Sequence, residues 1–286
     1  MALDPRFSDA QFLEREYNAR AAIRDHLQIY SRWAEQGAAA LRLRACEANL
    51  KYGSLAIEKL DFFHAHSADA PLFVFIHGGY WRSRDKSEFA WIAPPFLQNG
   101  VAVALTNYGL APATSVEDIV RQQLKALRWL YKNAERLRFS PDRIVVAGHS
   151  AGGHLVAMLM AALWPQFDSA LPANLVKAGL AISGLYDLQP LVHARFVNDD
   201  LQLNSARARA LSPILMPPAT DAPLITAVGG LESSEFKRQS AELGRHWPSI
   251  TRHIELPGAN HLTVCDELAN PGSPLFDAAL QLLNKS

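Results

Sequence analysis

Apolar positions along the chain follow two different rhythms. Over residues 9–40 they recur at Phe12, Leu13, Tyr17, Ala21, Ile23, Leu27, Ile29, Tyr30 and Trp33 among many charges. That spacing predicts helix, and its place ahead of the main strand signals makes it a flank or lid. Short β-like runs follow at Ala48–Tyr52 and Leu55–His64. The run Pro71–Ile76 is continuously apolar, as a strand covered on both faces should be, and Val101–Thr106 repeats it. Helical spacing returns over 115–138 (Val116, Ile119, Leu124, Leu127, Leu130, Tyr131). Ser115 is placed as its N-cap, with Asp118 three residues on as a capping-box variant.

Beyond that point the pattern keeps alternating. Strands are expected at Arg143–Ala147, Ala178–Ser183, Leu224–Val228 and Thr251–Leu256. Helices are expected over 151–163, 233–247 and 274–285, with an irregular stretch over 187–220. Such alternation implies an α/β fold, a mostly parallel sheet of about eight strands with helices on both faces. Pro94-Pro95 and Pro217-Pro218 mark loops, and no internal repeat is present. Length alone allows two domains. The alternation from residue 71 onward instead favours one α/β domain over 1–286, with residues 1–40 as an N-terminal helical cap.

Composition narrows the partners. The 286 residues carry 28 basic and 28 acidic side chains, and 49% are hydrophobic. A neutral chain has no bulk attraction for nucleic acid or an anionic membrane, and this apolar fraction does not suit disorder. The N-terminal segment is charged from its fourth residue and has no apolar core of a signal peptide. Leu155–Trp164 is too short to span a bilayer. Two distant cysteines, Cys46 and Cys265, suggest no disulfide framework. The expectation is a reduced, cytoplasmic protein.

The chemistry concentrates in a few loops. Gly148-His149-Ser150-Ala151-Gly152 fits G-x-S-x-G, directly after a β-branched strand and directly before a helix. That context makes it a nucleophile elbow. The strained turn needs glycine on both sides of Ser150, and the helix N-terminus favours a developing anion. Upstream, His77-Gly78-Gly79-Tyr80-Trp81 follows a strand. The N–H groups of Gly78 and Gly79, with that of Ala151, are placed to form an oxyanion hole. His77 precedes the nucleophile and reads as a brace for its loop.

Such an elbow is accompanied by an acid and then a histidine in chain order. His261, in the turn Pro257-Gly-Ala-Asn-His261 after the last strand, is the expected base. His246 and His253 fall in a helix tail and inside a strand. Glu232 follows the strand Leu224–Val228 and lies 29 residues before His261, room for one helix and one strand. It is the favoured acid, and Asp187 is the alternative. The acid holds the imidazole in the right tautomer and stabilises its cation. Tyr80, Trp81, Tyr186, His193 and Phe196 are candidates for an aromatic substrate pocket or for the core.

Three lesser features have plain readings. His64-Ala-His66 puts two histidines on one strand face, but no third ligand stands nearby, so neither a metal nor another cofactor is expected. Cys265 lies close after His261, yet the intact elbow makes serine the nucleophile. His154 reads as a packed helix residue.

Taken together, these residues resemble the α/β-hydrolases, in the HGG-motif branch shared with hormone-sensitive-lipase-type esterases. More narrowly the chain is similar to the kynurenine formamidase (arylformamidase) group. The resemblance is carried by Glu14-Arg-Glu-Tyr-Asn18, His77-Gly-Gly-Tyr-Trp81, Gly148-His-Ser-Ala-Gly152, Ser183-Gly-Leu-Tyr-Asp187, Glu232-Ser-Ser-Glu-Phe236 and Asn260-His261. Animal members of the group carry aspartate where Glu232 stands, and bacterial relatives are often general esterases. The resemblance implies hydrolysis of an aryl formamide such as N-formylkynurenine by Ser150, His261 and Glu232. A carboxylesterase for small acyl or aryl esters would use the same residues. The expected partner is therefore a small aromatic formamide or ester, with no nucleic acid or membrane, and with a homodimer left open.

Overall fold

In the computed structural model, which describes residues 4–43 and 45–285, a 3-10 turn at Pro5–Ser8 leads into α1 (Ala10–Tyr17) and α2 (His26–Ala40). Strands β1 (Cys46–Lys51), β2 (Lys59–Phe63) and β3 (Ala70–Ile76) follow. A 3-10 segment, Lys86–Ile92, runs into α3 (Ala93–Gln98), β4 (Ala102–Thr106), α4 (Val116–Lys132) and α5 (Ala134–Leu137). Next come β5 (Phe139–His149), α6 (Ala151–Met160), α7 (Trp164–Phe167), β6 (Ala178–Ile182), α8 (Arg195–Leu201) and α9 (Ser205–Ala210). The chain closes with β7 (Leu224–Gly229), α10 (Ser234–His246), β8 (Thr251–Leu256), α11 (Thr263–Asp266) and α12 (Pro274–Lys285).

The eight strands form one sheet in the order β1-β2-β4-β3-β5-β6-β7-β8. The pairings β1–β2 and β2–β4 are antiparallel and all the others parallel. Residue parity sorts the core onto the two faces. Leu72, Val74, Ile76, Ile144 and Val146 pack into one cluster. Phe73, Phe75, Val145 and Ala147 pack into the other. Every residue of β3 is buried, which is why this strand reads as an unbroken apolar run rather than an alternation.

The connection reverses direction around β3: β4 lies on one side of it and β5 on the other. A parallel sheet opens a crevice beyond the C-terminal ends of the strands at such a switch point. The loops that leave β3 and β5 are the ones carrying Gly78, Gly79 and Ser150.

The helix expected over 9–40 is two helices. Asn18 ends α1 by turning its side chain back onto Glu14, at 2.5 Å, and its N–H onto the Glu14 carbonyl. Short polar side chains compete with the helix in this way. The connection 18–25 then begins with three residues, Asn18, Ala19 and Arg20, that line the crevice. Likewise the helix expected over 115–138 breaks at Asn133, and Arg138 ends the second piece in the left-handed region. The strand expected at Leu55–His64 begins only at Lys59, because Glu58 folds back onto the Leu55 N–H at 2.9 Å and shapes a turn. The stretch 187–220 contains α8 and α9.

Residues 86–98 are helical although their apolar spacing did not single them out. A readable signal was there, since Asp85 and Glu88 form a reciprocal capping box. Among the described residues no helix is long and apolar enough to cross a membrane.

Candidate active site

Ser150 stands between β5 and α6 with φ 56° and ψ −117°. A side chain rarely adopts that conformation, so the surroundings must enforce it. They do so by close approach. A Cβ on Gly148 would collide with the Gly152 carbonyl, and one on Gly152 with the Ile76 carbonyl. The Ser150 N–H donates to the Ile182 carbonyl at 2.8 Å, tying the turn to β6. The hydroxyl is thereby held proud of the sheet, at the first turn of α6.

His261 and Glu232 meet it there. The ring Nε2 of His261 lies 3.1 Å from Ser150 Oγ, and Nδ1 lies 2.6 Å from Glu232 Oε2. The carboxylate only accepts, so Nδ1 carries the hydrogen and Nε2 offers its lone pair to the serine hydroxyl. Glu232 Oε1 accepts from the Gly229 N–H at 2.7 Å and from Ser183 Oγ at 2.5 Å. Three donors thus fix a buried carboxylate in one orientation. The Phe236 ring packs on His261 with centroids 4.4 Å apart.

Asp187 takes no part in this chain. Its carboxylate accepts from the Gln189 N–H at 3.0 Å, and burial pushes its pKa up. His246 and His253 bond to the Glu242 carbonyl and to Thr226 Oγ1. Cys265 is buried with its thiol pKa pushed well up. His64 is engaged by Glu47 at 2.6 Å and by the Leu137 carbonyl. No group of three metal-ligating side chains is found among the described residues.

The loop after β3 presses against the elbow. A Cβ on Gly78 would come 2.8 Å from the His149 carbonyl and 3.0 Å from Ser150 Cβ, so only glycine lets this backbone lie beside the nucleophile. The N–H groups of Gly78 and Gly79 donate to no partner among the described residues. Ala151, first in α6, has a free N–H by its position in the helix. His77 bonds to the Gly78 carbonyl and to Asn107 Oδ1, and its ring stacks on Tyr108 at 4.2 Å. These contacts brace the loop.

A cavity of about 260 Å³ opens onto Ser150 and His261. Of the five aromatic candidates, Tyr80 and Phe196 line it, with rings 6.1 Å apart. Trp81, Tyr186 and His193 do not. Tyr80 and Trp81 are both left-handed, at φ 51° and φ 53°, and their rings stay in edge contact with centroids 6.1 Å apart. The Trp81 ring goes into the core, edge-on to His154 at 5.0 Å. Tyr186 is fully buried, and His193 is exposed.

The lining also includes residues of the segment expected as a flank or lid: Asn18, Arg20, Tyr30 and Trp33. Arg84 lies 3.5 Å over the Tyr30 ring and 2.8 Å from Glu88. The N-terminal segment is tied down on both sides. Tyr80 Oη donates to the Tyr17 carbonyl at 2.5 Å, and Tyr17 Oη donates to Glu235 at 2.7 Å.

Such an arrangement can generate an alkoxide-like nucleophile, place an acyl carbon against it and return a proton to a leaving group. The similarities of the chain agree with that chemistry. The BD-FAE family model matches residues 60–243. The kynurenine formamidase of Salmo salar is 28% identical over 99% of this chain and 96% of its own length. That of Drosophila melanogaster is 34% identical over 58% of this chain and 55% of its own. The crystal structure of a candidate thioesterase from Silicibacter sp. matches with a TM-score of 0.82 at 32% identity, covering 93% of this chain and 97% of that one. With its elbow, its glycine loop and its switch-point crevice, the chain belongs to the BD-FAE family and is a serine hydrolase of the α/β-hydrolase fold.

Proposed function

We propose that this chain is a one-domain cytoplasmic enzyme that hydrolyses small aryl formamides, of which N-formylkynurenine is an example. The observation that carries the reading is the hydrogen-bonded chain Ser150–His261–Glu232, opening into a small cavity walled by aromatic rings. A volume of about 260 Å³ is near the lower end of ligand pockets, which suits one substituted aromatic ring rather than a long acyl chain. Similarity to kynurenine formamidases over nearly the whole length supports the same substrate class.

In this mechanism His261 Nε2 takes the Ser150 proton as Oγ attacks the formyl carbon. The carbonyl oxygen becomes an oxyanion facing the N–H groups of Gly78, Gly79 and Ala151. As the C–N bond breaks, its electron pair goes to nitrogen, and His261 returns the proton there. The arylamine leaves, and Ser150 holds the formyl group as an ester. Water, deprotonated by His261, attacks that ester; the bond from the formyl carbon to Oγ breaks, His261 returns the proton to Ser150 Oγ, and the formic acid released ionises to formate in water. Glu232 stabilises the imidazolium at both stages.

The test is release of formate from N-formylkynurenine by the purified protein, with Ser150→Ala abolishing it. Hydrolysis of p-nitrophenyl acetate without any formamide turnover would reject the formamidase reading and leave a carboxylesterase using the same residues.

A further inference from the structure

His149 stands beside both the nucleophile and the base, yet it has no place in the proton path above. Its Nε2 lies 2.7 Å from the His261 carbonyl oxygen. A carbonyl only accepts, so Nε2 carries the hydrogen of the ring. Burial holds the ring neutral, with its pKa pushed down to about 3. Nδ1 is therefore a permanent lone pair. It has no hydrogen-bond partner among the described residues.

The residue that carries it borders the reaction space. It lines the cavity together with Ser150, His261 and Gly78. A Cβ placed on Gly78 would come 3.3 Å from Nδ1, and the ring centroids of His149 and His261 are 4.8 Å apart. The acceptor lies against the glycine loop, on a ring that packs beside the group that protonates the leaving atom.

An acceptor there distinguishes two kinds of substrate. When Oγ adds to an amide, the nitrogen becomes tetrahedral, and its new lone pair must point at His261 to receive the proton. The N–H of that nitrogen then points elsewhere into the cavity and needs a partner. An ester oxygen has no hydrogen to place, and its lone pairs gain nothing from a second one. We infer that His149 Nδ1 accepts the N–H of the scissile amide in the transition state and so selects formamides over the matching esters. The inference rests on the formamidase reading and makes His149 a specificity residue.

The experiment compares formanilide, N-methylformanilide and phenyl formate, each corrected for its uncatalysed hydroxide rate. The wild-type protein prefers formanilide to its N-methyl analogue, which has no N–H. The substitution His149→Gln keeps an N–H for the His261 carbonyl but has no lone pair at the δ position. It lowers the formanilide-to-phenyl-formate ratio of kcat/KM by about tenfold, the worth of one neutral hydrogen bond at the upper end. It also shrinks the preference over the N-methyl analogue.

Equal falls for amide and ester would make His149 only a brace for the His261 loop and overturn the inference. Equal wild-type rates for formanilide and N-methylformanilide would overturn it without any variant. Formanilide turnover with an unchanged ratio leaves the formamidase reading standing and removes this role alone. Phenyl formate turnover with no formanilide turnover removes both.

Discussion

The substitution Glu232→Gln tests the orientation of the base. In the native chain, Glu232 Oε1 accepts from the Gly229 N–H at 2.7 Å and from Ser183 Oγ, while Oε2 faces His261 Nδ1 at 2.6 Å. A glutamine must place one oxygen and one NH2 in these two positions. The Gly229 N–H is a backbone donor that cannot turn away, so it claims the oxygen. The NH2 is then left facing Nδ1, which must become the acceptor. The ring hydrogen moves to Nε2, where it points at Ser150 and blocks proton removal. A wrong-tautomer defect of this kind costs about 10⁴ in kcat in Ser-His-acid hydrolases, or about 5.5 kcal/mol of transition-state stabilisation. In the proposed mechanism Glu232 stabilises the imidazolium as well, and that charge is lost in the same step.

The assay is steady-state hydrolysis of p-nitrophenyl acetate and formanilide at neutral pH. Unfolding by urea confirms that the variant is folded. Both substrates should lose kcat together, because the defect precedes any difference between leaving groups. A fall of less than tenfold would show that Glu232 does not set the tautomer, and the reading of this carboxylate would be wrong.

Two further predictions concern stability. Burial lowers the pKa of His149 to about 3 and of His154 to about 4, so the folded state binds fewer protons than the unfolded chain below about pH 6.5. Stability is therefore complete above that pH and falls as the medium is acidified, by about 2 kcal/mol for each ring between pH 7 and 5. His154→Gln, which keeps an N–H for the Leu211 carbonyl, should lessen that acid loss by about one ring's share in urea unfolding. An unchanged pH slope would refute the account.

Lys86 Nζ lies 2.7 Å from Asp61 with both side chains buried, and it also reaches Asn49 at 3.1 Å. Lys86→Met leaves the carboxylate without its cation, held only by the Asn49 N–H at 2.7 Å, and should cost about 3–5 kcal/mol, part of it recovered in Lys86→Met/Asp61→Leu, which removes the charge but also the acceptor of that N–H. Equal instability of the single and double variants would count against the pair.

How much of this could be read from the sequence depended on whether the signal was local. The unbroken run Pro71–Ile76 became β3, because full burial on both faces removes alternation and leaves a one-dimensional mark. The elbow was legible because close approach forces glycine at 148 and 152 whatever else the chain does. The partition of the aromatic residues was not legible. Tyr80 and Trp81 are neighbours of similar character. Their rings touch, yet only Tyr80 reaches the cavity while Trp81 is sealed in the core, a difference set by contacts that the linear pattern does not record.

The sequence by itself determined the alternation of elements and the β3 and β5 loops with their glycines, and it favoured Glu232 over Asp187 as the partner of His261 at a one-helix, one-strand spacing. These rest on local sterics and on burial periodicity, which a linear pattern records. Only the tertiary structure decided what surrounds the nucleophile. It brought Asn18, Arg20, Tyr30 and Trp33 to the cavity beside the Tyr17 and Tyr80 contacts, and it gave His149 one engaged nitrogen and one free lone pair. Contacts between residues a hundred positions apart leave no period in the chain, because each depends on where the sheet and its loops place both partners at once.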